Sequence, residues 1–148
     1  MKKLFALFFV VSFLLVGIAA AEDVPTPTKL EGVKIASTAE VKALLGQKGV
    51  YIFDMRKALN YGKGHLQGAK SLPLKWLSEG ADPSVRKGEF DMAVLPPDKN
   101  AKIIFYSDGP NGWKSYNAAK MTKEAGYKNV IWMREGSAAW EGKGYPME

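Results

Sequence analysis

Short apolar runs recur along the chain, separated by polar and glycine-containing turns. Three of them, residues 50–54, 103–106 and 129–133, are rich in β-branched and aromatic side chains. Runs of this length and composition, bounded by turn residues, are typical of buried strands in a parallel sheet. Residues 33–36 form a shorter apolar stretch and predict an edge strand.

Between these runs the apolar residues follow helical spacing. Ser37 and Glu40 have the spacing of a capping box, and apolar residues follow them on one helical face. Residues 115–125 predict a longer helix that stops at Gly126, which suits the position just after a helix end. Residues 137–141 predict a short last helix.

The remaining segments carry weaker patterns. Residues 56–68 contain three glycines and predict a loop, residues 74–77 predict one helical turn, and residues 81–100 have no clear period. Strands that alternate with helices through short glycine-rich turns indicate an α/β domain with a mostly parallel sheet.

The first 21 residues have the composition of a cleavable signal peptide. Lys2 and Lys3 precede an almost unbroken apolar run over residues 4–18, and residues 19–21 are three alanines followed by Glu22. The run is short for a membrane span of about 20 residues. We therefore expect cleavage after residue 21, with a retained membrane anchor as the alternative.

Cleavage would leave residues 22–148. We expect residues 22–32, which are polar and proline-rich, to be an extended lead-in, and residues 33–148 to form one domain. The expected location is periplasmic or secreted, with no stable membrane anchor after cleavage.

The chain contains no cysteine. The exported domain therefore has no disulfide to stabilise it. A bacterial lipoprotein needs a cysteine at its cleavage site, so this kind of lipid anchor is excluded. No thiolate is available as a nucleophile or a metal ligand, and we expect neither a metal nor another cofactor.

The charge is mildly basic. The net charge is +6, and removal of Lys2 and Lys3 would leave +4. The lysines are scattered and lack the aromatic interleaving of nucleic-acid binders, so we expect no nucleic-acid partner. A basic surface weakly favours small anions or acidic partners.

A glycine-rich loop joins the strand at 103–106 to the helix at 115–125. Such a loop directs backbone N–H groups and the positive end of a helix toward one point, which makes an anion-binding concavity. Ligands of open parallel sheets bind beyond the carboxyl ends of the strands, where Asp54 and Arg56 also arrive. The predicted anion-binding loop comprises Ser107, Asp108, Gly109, Pro110, Asn111, Gly112, Trp113, Lys114 and Ser115. Lys114 would add a positive charge, and Asp108 would oppose it.

An ordered set of motifs runs along nearly the whole chain from about Val33. It comprises Phe53-Asp54-Met55-Arg56, Tyr61, Gly64-His65-Leu66-Gln67-Gly68-Ala69, Leu72-Pro73-Leu74, the segment 103–119, Glu124-Ala125-Gly126-Tyr127-Lys128-Asn129-Val130 and Glu135-Gly136-Ser137-Ala138-Ala139-Trp140. This set resembles the single-domain rhodanese-like proteins. The resemblance implies a three-layer α/β fold with a five-stranded, mostly parallel sheet and helices on both faces.

The resemblance also implies a role for the loop. Rhodanese-like enzymes carry a cysteine at its first position, which accepts sulfane sulfur as a persulfide. That position is Ser107 here, and a second cysteine of relatives with this longer loop falls on Gly112. A serine hydroxyl cannot form a persulfide, and its much higher pKa would require an adjacent general base. The only histidine, His65, is expected to be a structural turn residue, and Asp54 and Arg56 a structural pair.

Three functions remain open. The first is an exported domain without sulfurtransferase activity that binds a small oxyanion or an exported protein partner through the loop. The second is a sulfurtransferase-family enzyme with an altered loop, either a replaced cysteine or Ser107 used in a different reaction. The third is a scaffold component of an exported redox assembly.

Overall fold

The computed structural model of the protein describes residues 24–80 and 82–148. The predicted signal peptide, residues 1–21, lies outside the described residues. Of the helices described, none is both long enough and apolar enough to cross a membrane.

Seven short strands form one large and one small sheet. The large sheet has the order β1-β7-β6-β2-β3, and all its neighbouring strands are parallel. In the central strand, Ile104 pairs with Ile52 on one side and Ile131 on the other. The strands are β1 (Lys34–Ile35), β2 (Val50–Asp54), β3 (Lys70–Ser71), β4 (Lys75–Trp76), β5 (Gly88–Glu89), β6 (Lys102–Tyr106) and β7 (Asn129–Trp132).

Four α-helices cover the large sheet: α1 (Thr38–Leu44), α2 (Ala58–Lys63), α3 (Trp113–Glu124) and α4 (Gly136–Gly142). One core contains Ala118 and Ala119 of α3 against β6 and β7 side chains that include Trp132. The other contains Val41 of α1 and Trp140 of α4. The cores involve different side chains of the same strands, so the predicted three-layer α/β fold with a five-stranded parallel sheet is confirmed.

The capping box at the start of α1 is confirmed. The Ser37 hydroxyl accepts a hydrogen bond from the Glu40 N–H at 3.2 Å, and the Glu40 carboxylate accepts one from the Ser37 N–H at 2.8 Å. At the other end of the domain, α3 begins two residues earlier than predicted, at Trp113, and Gly126 follows its end with a φ of +92°.

The predicted helical turn at 74–77 is wrong. Residues 75 and 76 form β4, which pairs antiparallel with β5. We call the described residues from β4 to β5, 75–80 and 82–89, the arm. The arm packs closely because β5 begins with a glycine: a Cβ on Gly88 would lie 2.4 Å from Leu74 Cδ2. Such pairing depends on contacts that residues 74–77 do not encode by themselves.

The segment 56–68, predicted as a loop, contains the helix α2. No side chain caps the start of this six-residue helix, and Gly62 lies within it, so the sequence carries no helix signal. Tertiary contacts hold it instead. The Tyr61 hydroxyl donates to the Ala69 carbonyl at 2.9 Å, and the Tyr61 ring stacks on His65 at 3.7 Å.

Candidate functional site

A cleft of about 930 Å³ opens at the carboxyl ends of β2 and β6. Its floor is the loop 107–114, which we call the site loop. One wall is α2 with the residues before it, and the other is the arm. The lining residues are Arg56, Lys57, Leu59, Asn60, Trp76, Pro83, Arg86 and the whole site loop.

Ser107, the first residue after β6, lies at the bottom of the cleft. Its side chain is 3% exposed, and its Oγ accepts a hydrogen bond from the Ser115 N–H at 3.2 Å. Ser115 lies in the first turn of α3, where backbone N–H groups have no partner within the helix. A neutral hydroxyl therefore occupies the position at which the helix end would stabilise a negative charge.

Gly112 allows the site loop to fold back on its own first residue. A Cβ at this position would lie 2.6 Å from Ser107 Cβ and 2.8 Å from the Gly109 carbonyl oxygen. The Gly112 N–H donates to that same carbonyl at 2.8 Å. A side chain at position 112 would therefore force the loop outward.

The start of α4 supports the site loop from the side. The Ser137 N–H donates to the Ser107 carbonyl at 2.9 Å, and the Ala138 N–H donates to the Asp108 carbonyl at 3.1 Å. Gly136 permits this approach, since it has a φ of +72° and a Cβ there would lie 2.4 Å from the Gly109 nitrogen. The site loop is thus held by an element that follows it by about 30 residues in the chain.

The lead-in also contacts the site loop. We call residues 24–27 the strap. The Thr26 N–H and hydroxyl both donate to the Pro110 carbonyl, at 2.9 and 2.5 Å, and Trp113 Nε1 donates to the Val24 carbonyl at 2.7 Å. Arg134 donates to Thr26 Oγ1 at 3.1 Å and to the Thr26 carbonyl at 2.8 Å. Sequence reasoning missed this contact, because a proline-rich polar segment gives no sign of where it docks.

Cationic groups outnumber carboxylates in the cleft lining. Lys114, half-buried at the start of α3, has its amine pKa lowered by burial and by the nearby charge of Lys57, while Asp108 acts in the opposite direction. Of the described residues, none accepts a hydrogen bond from the Asn111 or Lys114 N–H. The prediction that Lys114 adds positive charge to the loop fits its place in the cleft lining.

The predicted pair Asp54–Arg56 is confirmed, and it is buried. Arg56 Nη2 lies 2.6 Å from Asp54 Oδ2, and the Arg56 N–H donates to Asp54 Oδ1 at 2.9 Å. The Tyr106 hydroxyl donates to Asp54 Oδ2 at 2.6 Å, and burial and the Asp54 charge raise the Tyr106 pKa well above its usual value. Tyr106 therefore remains a neutral donor, and the three side chains join the ends of β2 and β6.

His65 lies away from the site loop. Its Nδ1 is 3.1 Å from the Tyr61 carbonyl oxygen, and its backbone exchanges two hydrogen bonds with Glu148, both of 2.9 Å. These contacts match the expected turn residue. They do not place the imidazole as a base for the Ser107 hydroxyl, whose only hydrogen-bond partner among the described residues is the Ser115 N–H.

The groups that line the cleft favour negative charge, and the chain supplies no thiol. The cleft combines N–H donors, a half-buried amine and a helix N-terminus, all of which favour negative charge. The chain has no thiol, so a persulfide cannot form on it.

Comparison with known proteins agrees with this fold. The rhodanese-like domain family matches residues 37–143. The chain is 29% identical over 108 residues to the thiosulfate sulfurtransferase GlpE of Pseudoalteromonas translucida, covering 73% of this chain and 89% of that protein. It is 26% identical over 115 residues to the protein YibN of Escherichia coli K12, covering 78% and 72%. The solution structure of the rhodanese-like domain of the Anabaena protein Alr3790 superposes with a TM-score of 0.57 at 26% identity, covering 80% of each chain. The chain therefore belongs to the rhodanese-like domain family.

Proposed function

We propose that this protein is an exported rhodanese-like domain without sulfurtransferase activity, which binds an oxyanion in the cleft above Ser107. The observation that carries the proposal is the serine itself. A hydroxyl at the first loop position already accepts the Ser115 N–H, and the chain contains no sulfur nucleophile to replace it.

The surroundings of the loop support anion binding. The charge of Lys57 is close enough to Lys114 to lower the pKa of the Lys114 amine. Neither ε-amino group has a carboxylate within ion-pair distance among the described residues. An oxyanion between them would compensate this charge and could accept hydrogen bonds from the N–H groups of Asn111 and Lys114.

Export is part of the proposal and rests on the sequence. The two lysines, the apolar run and the three alanines before Glu22 have the order of a cleavable signal peptide. Expression of the full chain in a Gram-negative host, followed by mass spectrometry of the periplasmic fraction, tests it. A product beginning at Glu22 is expected, and a full-length product in the membrane fraction would contradict export by cleavage.

Sulfurtransfer is tested with the purified protein. No cyanide-dependent turnover of thiosulfate is expected from the natural sequence. In S107C, the new thiolate would take the sulfane sulfur of thiosulfate and release sulfite, and cyanide would then remove that sulfur as thiocyanate. Turnover by S107C alone would indicate that only the nucleophile is missing. Turnover by the natural chain would refute the proposal.

Anion binding is tested by calorimetry with sulfate, thiosulfate, phosphate and selenite. We expect a saturable signal that is weakened in K114Q and retained in K120Q. Lys120 is a suitable control because it is exposed on the same helix. The absence of heat with all four anions would favour a scaffold role without a ligand.

A further inference from the structure

Apolar side chains line both walls of the cleft. Leu59, on α2, is 71% exposed and lines one wall. Trp76 and Pro83, on the arm, line the other. Apolar side chains on both walls of one cleft are typical of a site for an organic ligand.

Positive charge accompanies these apolar side chains. Lys57, Arg86 and Lys114 line the cleft together with Arg56, which is neutralised by the buried Asp54. Asp108 is the carboxylate among the lining residues. Arg86 is held in place, because its Nε donates to the Gly80 carbonyl at 2.8 Å and its guanidinium lies 5.8 Å from the Trp76 ring centre.

The size of the cleft excludes an inorganic anion as its full occupant. A volume of about 930 Å³ is at the upper end of the range of about 300–1,000 Å³ found for sites that enclose organic ligands. An inorganic oxyanion would fill the part next to the site loop and leave both apolar walls in water. Two walls with apolar side chains and a lining with an excess of cations fit a chain that carries aliphatic and acidic groups in alternation.

We propose that the cleft binds an acidic segment of an exported polypeptide, with a carboxylate at the site loop near Lys114 and aliphatic side chains against Leu59 and Trp76. This inference rests on the proposed function, since the carboxylate occupies the oxyanion position. It extends that function by giving the two walls a role in binding, because an inorganic ion would not contact them.

Three peptides separate the contributions of charge and apolar contact. The probe is Ac-Leu-Glu-Leu-Asp-Leu-NH2, and its amide analogue is Ac-Leu-Gln-Leu-Asn-Leu-NH2. The third peptide, Ac-Ser-Glu-Ser-Asp-Ser-NH2, keeps the charge and removes the aliphatic groups. Binding is measured by fluorescence anisotropy with labelled peptides and checked by calorimetry. We expect the probe to bind at least tenfold more tightly than either analogue, because each analogue removes one of the two interactions.

Matched variants assign the surface. L59S is expected to weaken binding of the probe about 5- to 10-fold, which is the effect of losing one partly buried aliphatic contact. V85S and V94S are the controls, because Val85 and Val94 are exposed, at 75% and 45%, but do not line the cleft. The variants alter exposed side chains, and circular dichroism checks that they fold.

The outcomes distinguish the two proposals. If sulfate or thiosulfate binds but the probe binds no more tightly than its analogues, the acidic-segment proposal is overturned and the proposed function stands. Equal binding of the probe by L59S, V94S and the natural protein also overturns it. If neither the inorganic anions nor the probe binds, the proposed function fails, and the inference that rests on it fails too.

Discussion

Two neighbouring strand ends carry opposite kinds of chemistry. At the end of β2, Asp54 and Arg56 form a buried network with the Tyr106 hydroxyl from β6, and each group has a partner within about 3 Å. At the end of β6, Ser107 is neutral, and the cleft above it exposes two amines without carboxylate partners among the described residues. The charges at the first end are paired with each other, whereas the amines at the second end have no carboxylate partner among the described residues.

The residues that hold the site loop in place are therefore different from the residue at the nucleophile position, Ser107. The network at β2, the start of α4 and the strap all hold the region around the site loop, yet none of them supplies a nucleophile. Hydrogen bonds of this kind stabilise the folded loop whether or not a ligand binds. The shape of the cleft is therefore set by residues other than Ser107.

The largest effect is expected from breaking the buried network. R56M removes the partner of Asp54 and leaves a buried carboxylate uncompensated, which costs about 3–5 kcal/mol of unfolding free energy. R86M is the matched control on the exposed arm and should cost less than about 1 kcal/mol. Urea denaturation measures both variants. Equal losses of unfolding free energy in R56M and R86M would show that the buried network contributes no more to stability than the exposed arm.

A smaller but substantial effect is expected at Gly136. G136A places a methyl group 2.4 Å from the Gly109 nitrogen at a positive φ, so the site loop must move. We expect a loss of at least about 2 kcal/mol from backbone strain and overpacking together. G142A, in the same helix, meets no atom within 4 Å and should have little effect. If the two variants melt at the same temperature, α4 does not hold the loop.

Weakening the strap should affect the site loop more than the whole fold. T26V removes the hydroxyl that donates to Pro110 and accepts from Arg134, at a cost of about 1 kcal/mol. T28V is the control, because Thr28 is exposed. Hydrogen exchange should rise in the strap and the site loop of T26V while β6 stays protected. A uniform increase over the sheet would contradict a local role.

The smallest expected effect is the pH dependence that Lys114 contributes. Its pKa is lowered in the folded state, so the unfolded chain binds more protons between that pKa and the ordinary value of 10.5. The stability of the natural protein relative to K114Q should therefore rise with pH in this window, while sulfate binding falls as the amine loses its charge. K120Q should follow the natural protein. A constant difference between the natural protein and K114Q would contradict the lowered pKa.

The sheet could be predicted because its information is local. The strands β2, β6 and β7 consist mainly of apolar residues. The capping box of Ser37 and Glu40 marks the start of α1 within four residues. The helix α2 and the arm could not be predicted this way. Their stability comes from distant partners, such as the Ala69 carbonyl that accepts from Tyr61 and the Leu74 side chain against Gly88.

The site was predicted in part for the same reason. The strand, the glycine-rich loop and the following helix are contiguous, so the loop residues and the missing cysteine are visible in the sequence. The role of Gly136 depends on its contact with Gly109, and that of Thr26 on its contact with Pro110. Only folding brings these pairs together. The resemblance to known motifs marked Gly136, but it carried no indication of the strap.

The strap also has a consequence for the order in which the protein folds. Thr26 and Pro110 are separated by 84 residues, whereas β6, the site loop and α3 are consecutive in the chain. Contacts between distant residues must overcome the entropy of closing a long loop before they contribute stability. We expect the sheet to form first and the strap to close late. A newly folded molecule would then acquire its binding shape only when almost the whole domain has been completed.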